Sequence, residues 1–158
     1  MAEGSNKLLG ICYMLLASHF AVSASFQLND PDWYFWIPLY ASACVVNLVN
    51  WAKAISSRSI RKLAKFGFWI GVSLFIKVTI ESLLHGRDKF WSIDMRDRIV
   101  RERFGSGLVI CSMFLHLDSS SDPNHPTRVT KYGVPVLVGI AYGLSFVFFV
   151  FQHEEIRY

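Results

Sequence analysis

Long uncharged apolar runs alternate with short polar connections along the chain. Uncharged runs cover residues 8–28, 33–52 and 133–152, and a further apolar run at 66–84 contains only two charged residues. A helix needs about 20 apolar residues to cross the hydrocarbon core of a bilayer. Each of these four runs therefore predicts a membrane-spanning helix.

A shorter apolar run at residues 104–117 leaves the number of spans open. At 1.5 Å per residue it reaches only about 21 Å, less than the roughly 30 Å of the hydrocarbon core. The segment before it contains acid–base pairs at four-residue spacing within 94–101, which favour a helix. One helix over 94–117 gives five spans. The alternative is four spans with a re-entrant or interfacial helix.

The predicted fold class is therefore all-α, a polytopic transmembrane helical bundle forming a single domain over residues 1–158. Hydrophobic residues make up 53% of the 158 residues and charged residues 18%, against roughly 25% charged in an average soluble domain. A small soluble domain has too much surface to bury so many apolar residues. The composition excludes a soluble enzyme and a disordered chain, and three scattered cysteines give no disulfide framework.

Positive charge indicates how the bundle is oriented. The net charge of +4 fits loops that face anionic lipid and does not imply nucleic acid. The turn between the first two runs has no Lys or Arg, whereas the connection at 53–65 has five. Summed over five spans, the two sides carry eight and seven Lys or Arg, which decides nothing. Because Lys and Arg concentrate in cytoplasmic loops and the first hairpin usually dominates, we expect the N-terminus in the cytoplasm. The first run is longer than the core of a signal peptide, so we expect it to remain as a span.

Several segments together resemble a known family. They are the turn FQLNDPD at 26–32, the charged approach Arg101-Glu102-Arg103, the segment SGLVI at 106–110 and the segment SSSDP at 119–123. In the same order and at similar spacing, they resemble the transmembrane protein 220 family, whose members share a Gln-x-Asn-Asp-Pro-Asp turn and a charged approach to a Gly-Leu helix. The resemblance implies a small polytopic membrane protein and no particular reaction. Glu102 and Arg103 become candidate binding residues.

The acidic turn supplies further candidates. Asp30 is suited to the N-cap of the second helix and Pro31 to its first position, while Asp32 faces the positive end of the helix dipole. A capped hairpin accounts for these residues. Alternatively, Asn29, Asp30 and Asp32 bind a cation or a cationic head group. They offer too few oxygens for a closed calcium site.

Lys77 and Glu81 are the most costly residues of the apolar runs. A charge at mid-membrane costs about 2.5–3.5 kcal/mol on insertion scales. The two residues are four apart and form a polar stripe with Ser73 and His85, so we expect this stripe to face protein or water. It is either a buried structural pair or part of a polar cavity for a head group, an ion or a proton.

Three other runs carry polar residues at helical spacing. They are His19, Ser23 and Gln27 in the run 8–28, Asn47 and Asn50 in the run 33–52, and Ser112 and His116 in the run 104–117. Such residues commonly form hydrogen bonds between helices. If the stripes converge, they line a pocket. The ligand-binding candidates are thus His19, Asn29, Asp30, Asp32, Asn47, Lys77, Glu81, Glu102, Arg103 and His116.

Two glycine pairs allow close helix approach, Gly67 with Gly71 and Gly139 with Gly143. Packing within the chain explains both pairs, and a homo-oligomer through either pair is the alternative. Membrane lipid and an unidentified membrane protein are the other expected partners.

The sequence contains no Ser-His-Asp arrangement, phosphate-binding loop or HExxH motif. We expect no catalytic residues, no cofactor and no metal. Haem held by His19 and His116, or a surface metal at His116, Asp118, Asp122 and His125, is less favoured. The leading hypothesis is a non-enzymatic protein that binds lipid or a small ligand in a polar intramembrane cavity, or an accessory subunit. The alternatives are an oligomeric transporter or channel, and a membrane enzyme using interfacial His, Asp and Glu.

Overall fold

The computed structural model describes residues 2–52, 58–84, 98–119 and 127–155, and all regular structure in these ranges is helical. The five α-helices of this part of the chain are α1 (Ala2–Phe26), α2 (Trp33–Trp51), α3 (Arg58–Leu84), α4 (Arg98–Ser119) and α5 (Arg128–Glu155). A single 3-10 turn, Gln27–Asn29, follows α1. The prediction of an all-α helical bundle is confirmed.

The bundle consists of two helix pairs and a fifth helix. α1 packs most extensively against α2, and α3 against α4, while α5 lies against α1 and α4. α5 runs parallel to α1. Tyr142 donates a hydrogen bond to the carbonyl of Leu15, and one turn further along both helices Ser145 faces His19. The end of the bundle that holds Gln27–Asn29 is called the turn end here, and the opposite end the basic end.

Three of the helices are long and apolar enough to cross a membrane by length and composition. They are α1 with its turn (Lys7–Asn29), α3 (Arg58–Leu84) and the greater part of α5 (Arg128–Val150). α2 and α4 are not among these three helices, and the first turns of α4 are highly charged. That α2 and α4 also span the membrane, which would give five spans, therefore remains a prediction.

The core is built where α1, α2, α3 and α4 meet. Its largest fully buried side chains include Trp36, Phe20, Leu39, Val109 and Met113. Trp36 and Phe20 each stack on Tyr40, with ring centroids 6.2 and 6.3 Å apart. This aromatic row fixes the position of the Tyr40 hydroxyl within the bundle.

The two glycine pairs have different surroundings. A Cβ at Gly67 would lie 2.8 Å from Ser42 Oγ, and one at Gly71 would lie 3.0 Å from Ile110 Cγ1, so α3 approaches α2 and α4 closely. By contrast, no described atom lies within 4 Å of a Cβ at Gly139 or Gly143. The first pair packs within the chain, and the second lies on an open face of α5.

Some helix bounds differ from the apolar runs. α3 begins at Arg58, eight residues before the run at 66–84, because its basic first turns continue the helix beyond the apolar segment. α4 is observed from Arg98. Several residues invoked above lie outside the described part of the chain, namely Lys53, His85, 94–97 and 120–126.

Candidate functional site

A cleft of about 480 Å³ opens near the turn end, between α1, α4 and α5. Small-molecule sites typically have volumes of about 300–1,000 Å³. We call it the main cleft. Its walls come from the last turns of α1, the first half of α4 and the second half of α5, and α2 contributes the buried Tyr40.

Apolar side chains form most of the wall of the main cleft. Four of them are phenylalanines, and the full apolar set is Val22, Phe26, Phe104, Leu108, Ala141, Leu144, Phe148 and Phe149. Gly105 also lies in the wall, and a Cβ there would collide with the Tyr40 hydroxyl. The absence of a side chain at Gly105 thus lets the Tyr40 hydroxyl lie directly against α4.

The polar residues of α1 line one side of this cleft. His19, Ser23 and Gln27, which recur at four-residue spacing, all face it. Deep in the cleft, His19 Nδ1 lies 3.5 Å from Ser145 Oγ on α5, and Ser23 donates a hydrogen bond of 2.9 Å to the His19 carbonyl. Gln27 Oε1 is buried and has no hydrogen-bond partner in the described part of the protein. This amide oxygen can accept a hydrogen bond from a ligand.

Two opposite charges lie at the turn end of the cleft. Asp30 immediately follows the 3-10 turn, and Arg101 lies in the first turn of α4. The Arg101 guanidinium lies 5.5 Å from the centroid of the Phe148 ring, within the range of a cation–π contact. The cleft therefore combines a carboxylate and a guanidinium at its rim with a largely apolar interior.

An ion-pair network adjoins the cleft at the same end. Asp32 pairs with Arg98, and its other oxygen accepts a hydrogen bond of 3.3 Å from Trp36 Nε1 and lies 3.5 Å from Lys77 Nζ. Arg98 Nε also donates a 2.6 Å hydrogen bond to Glu102 Oε1. The side chains of Asp32 and Glu102 are only 14% and 5% exposed, whereas Lys77 is 49% exposed. The network thus fixes the buried carboxylate of Glu102 and the partly buried carboxylate of Asp32 between α2, α3 and α4.

The predicted capping role of Asp30 is wrong. α2 begins at Trp33, so Asp32 occupies the cap position, and even Asp32 makes no side-chain capping bond. The reason is tertiary: the Asp32 carboxylate is engaged by Arg98, Lys77 and the Trp36 indole. Asp30 instead terminates the 3-10 turn, where its backbone N–H donates to the Gln27 carbonyl.

The candidate residues are divided among several places rather than gathered in one pocket. His19 and Asp30 line the main cleft, while Asp32, Lys77 and Glu102 belong to the network. Asn47 donates a buried hydrogen bond of 2.9 Å to Ser112 and so joins α2 to α4. The remaining candidates lie elsewhere: Asn29 is exposed at the turn, His116 is buried on α4, Glu81 is partly buried on α3, and Arg103 lines a second groove.

The second groove has a volume of about 330 Å³ and lies on the other side of the α4–α5 contact. It is lined almost entirely by apolar side chains, with Arg103 at one edge and Cys111 further along α4. Phe104, Leu108 and Leu144 border both the groove and the main cleft. Arg101 and Arg103 therefore present their charges to different sides of one helix.

Arg98 is the main residue of this region that the sequence analysis missed as a candidate. Its four-residue spacing from Glu102 is the signal of an ion pair along one helix, but the spacings within 94–101 were used above only to predict a helix. The polar stripe at Lys77 does not lie wholly against protein, because Ser73 is exposed and bonds the Trp69 carbonyl of its own helix at 2.9 Å. Among the described residues, no three His, Cys, Asp or Glu side chains are placed to hold a metal ion.

Comparison with known families gives a match over residues 19–118 to the family model described as "Transmembrane family 220, helix". The matched segment runs from the deep part of the main cleft on α1 to the last turn of α4, and it includes the whole ion-pair network. No solved structure matches the chain. The resemblance noted from the acidic turn and the α4 segments is thereby confirmed.

Proposed function

The chain belongs to transmembrane family 220 and is therefore a helical membrane protein, and we propose that it binds a membrane lipid in the main cleft. The observation that carries this proposal is the cleft itself: a space of about 480 Å³ with a phenylalanine-rich wall and charged groups at one end. A lipid has the same division into an apolar and a polar part.

The position of the cleft supports a lipid over a water-soluble ligand. Two of its walls belong to α1 and α5, which are long and apolar enough to cross a membrane. With α1 and α5 spanning a bilayer, the interior of the cleft would lie at the depth of the acyl chains. Asp30 and Arg101, which lie near helix ends, would lie at the depth of the head groups. An acyl chain that lies along the phenylalanines would move from the bilayer into another apolar environment and would not be exposed to water.

The polar groups deep in the cleft are compatible with this occupant. His19 and Ser145 face each other at 3.5 Å, and Ser23 and Ser145 each bond a carbonyl of their own helix. Polar atoms satisfied in this way do not require a polar ligand beside them. Gln27 Oε1, which has no hydrogen-bond partner among the described residues, belongs to the 3-10 turn that Asp30 follows, on the side of the proposed head group.

We also propose that the basic end of the bundle faces the cytoplasm. Lys and Arg are nearly balanced between the two sides of the five predicted spans, so the proposal depends on the first two helices: the turn between them has no Lys or Arg, whereas α3 begins with Arg58, Arg61, Lys62 and Lys65. Positive residues near the first spans concentrate on the cytoplasmic side of membrane proteins, so the mouth of the cleft would face the opposite leaflet. In sealed vesicles of known orientation, an epitope tag before α1 should be accessible only from the cytoplasmic side, and access from the other side would contradict this orientation.

Native mass spectrometry of the gently solubilised protein tests lipid binding. We expect a lipid-sized adduct that survives removal of detergent, and we expect Ser145→Phe to reduce it strongly because the added ring fills the cleft. Ser73→Phe is the matched control: Ser73 and Ser145 both bond the carbonyl four residues earlier, at 2.9 and 3.0 Å, but Ser73 lies outside the cleft.

The outcomes separate clearly. An adduct reduced by Ser145→Phe and retained in Ser73→Phe supports the cleft as the site. The absence of any adduct from the unaltered protein, or an adduct that is equally present in both variants, contradicts the proposal. If Ser145→Phe lowers the yield of folded protein, Ser23→Phe fills the same cleft from α1, and thermal unfolding of each variant controls for loss of fold.

A further inference from the structure

We infer that the main cleft selects lipids with a zwitterionic head group that contains a primary ammonium next to a phosphate. This inference rests on the proposed function, since it names the class of lipid that the same cleft would hold. It derives from the two kinds of hydrogen-bonding group at the turn end, acceptors on one side and a cationic donor on the other.

The acceptor side consists of Asp30 and Gln27. Both line the cleft and are three residues apart, and Gln27 Oε1 is a buried oxygen without a hydrogen-bond partner among the described residues. A buried acceptor is unfavourable unless a donor meets it. A primary ammonium carries three N–H donors and a positive charge, so one group can donate to the Gln27 amide and form an ion pair with Asp30.

The donor side is the guanidinium of Arg101. This group is planar and carries several N–H donors in a fork that matches phosphate oxygens. Its contact with the Phe148 ring holds it at the wall of the cleft, on α4 across from the acceptors of α1 and the turn. Arg101 and Asp30 line the same cleft, so a phosphate bound at Arg101 and an ammonium bound at Asp30 would belong to one phosphoethanolamine head group.

The charge balance argues against a purely anionic lipid. Among the described residues of the cleft and the adjoining network, three acidic side chains (Asp30, Asp32 and Glu102) accompany three basic ones (Lys77, Arg98 and Arg101). The described part of this region therefore has no excess of positive charge of the kind that attracts anionic head groups. A phosphocholine head group matches the charges but has no N–H to donate to Gln27 Oε1.

Competition between phospholipids of identical acyl chains tests the inference. The purified protein is mixed with equal amounts of phosphatidylethanolamine, phosphatidylcholine and phosphatidylglycerol, and the bound lipids are quantified by native mass spectrometry. We expect phosphatidylethanolamine to be preferred by about tenfold, the effect of one charge-assisted hydrogen bond. Asp30→Asn and Gln27→Leu should each abolish most of this preference.

Arginine variants give a control for the phosphate. Arg101→Gln should weaken binding of all three phospholipids, because the phosphate is common to them. Arg61→Gln should leave binding unchanged, because Arg61 is exposed on α3 at the basic end and does not line the cleft. Equal effects of the two arginine variants would overturn the assignment of the phosphate to Arg101.

The same experiment separates this inference from the proposed function. Binding of the three phospholipids to equal extents in the main cleft would overturn the head-group selection while lipid binding stands. The absence of bound lipid, or bound lipid that Ser145→Phe does not reduce, would overturn the proposed function. Water-soluble phosphoethanolamine is the third arm: we expect millimolar amounts not to displace the lipid, and displacement would overturn a lipid as the source of the head group.

Discussion

Asp32 and Arg98 form an ion pair that joins the start of α2 to the start of α4, across 66 residues of chain. Arg98 bonds Glu102 as well, so a single guanidinium contacts both carboxylates, and Lys77 near Asp32 supplies the second positive charge. Both helix starts lie beside the main cleft, and Glu102 directly follows Arg101. We therefore expect this pair to set the position of the α4 wall of the cleft.

Replacing Arg98 should destabilise the protein. Arg98→Ala would leave the carboxylates of Asp32 and Glu102 with less compensation at buried positions, and we expect a loss of about 2 kcal/mol or more. Thermal unfolding in detergent measures it. Arg61→Ala is the control, because Arg61 is exposed on α3 at the basic end. An unfolding temperature equal to that of the unaltered protein would show that the pair does not support the fold.

Lys77 should contribute less than Arg98 to the same network. Its amine lies 3.5 Å from Asp32 and its side chain is half exposed, whereas Arg98 contacts both carboxylates. In double-mutant cycles, we expect a coupling energy between Asp32 and Arg98 of about 1–3 kcal/mol and a smaller one, below about 1 kcal/mol, between Asp32 and Lys77. The reverse order would mean that Lys77 is the principal partner of Asp32.

The helices were predictable because the apolar runs are long and the connections are short. The side of α1 that faces the cleft was predictable as well, because residues four apart share a helix face, and His19, Ser23 and Gln27 indeed line one wall. Periodicity reports which residues share a face of one helix. It does not report which helix meets that face.

The pairings between helices could not be derived for this reason. Asp32 was interpreted within its own turn and Lys77 within its own helix, yet the fold brings the two together. The contact of the Tyr40 hydroxyl with α4 depends on the missing side chain of Gly105, and nothing in the local pattern links these positions. The cleft itself arises from the packing of α5 against α1 and α4.

Asn47 provides a test of whether buried polar residues outside the cleft have a structural role. Its amide donates to Ser112 Oγ at 2.9 Å and to the Ala43 carbonyl at 2.8 Å. Hydrogen bonds between membrane helices contribute about 0.6 kcal/mol on average. Asn47→Leu and Ser112→Ala should each lower stability modestly, with a coupling of that size, and should leave the bound lipid unchanged in native mass spectra. Loss of lipid in either variant would place Asn47 in a binding site.

The two glycine pairs should respond differently to the same substitution. Gly67→Leu introduces a side chain where Ser42 Oγ already lies 2.8 Å from the Cβ position, so overpacking should cost about 1–3 kcal/mol. Gly143→Leu should leave the monomer fold intact, because no described atom lies within 4 Å of its Cβ position. Thermal unfolding compares the two variants, and light scattering after size-exclusion chromatography reports the oligomeric state.

If α5 forms a homo-oligomer through Gly139 and Gly143, Gly143→Leu should convert it to monomers without loss of fold. An unchanged mass in solution would contradict an oligomer through that face of α5, and a destabilised Gly143→Leu monomer would contradict the open face itself.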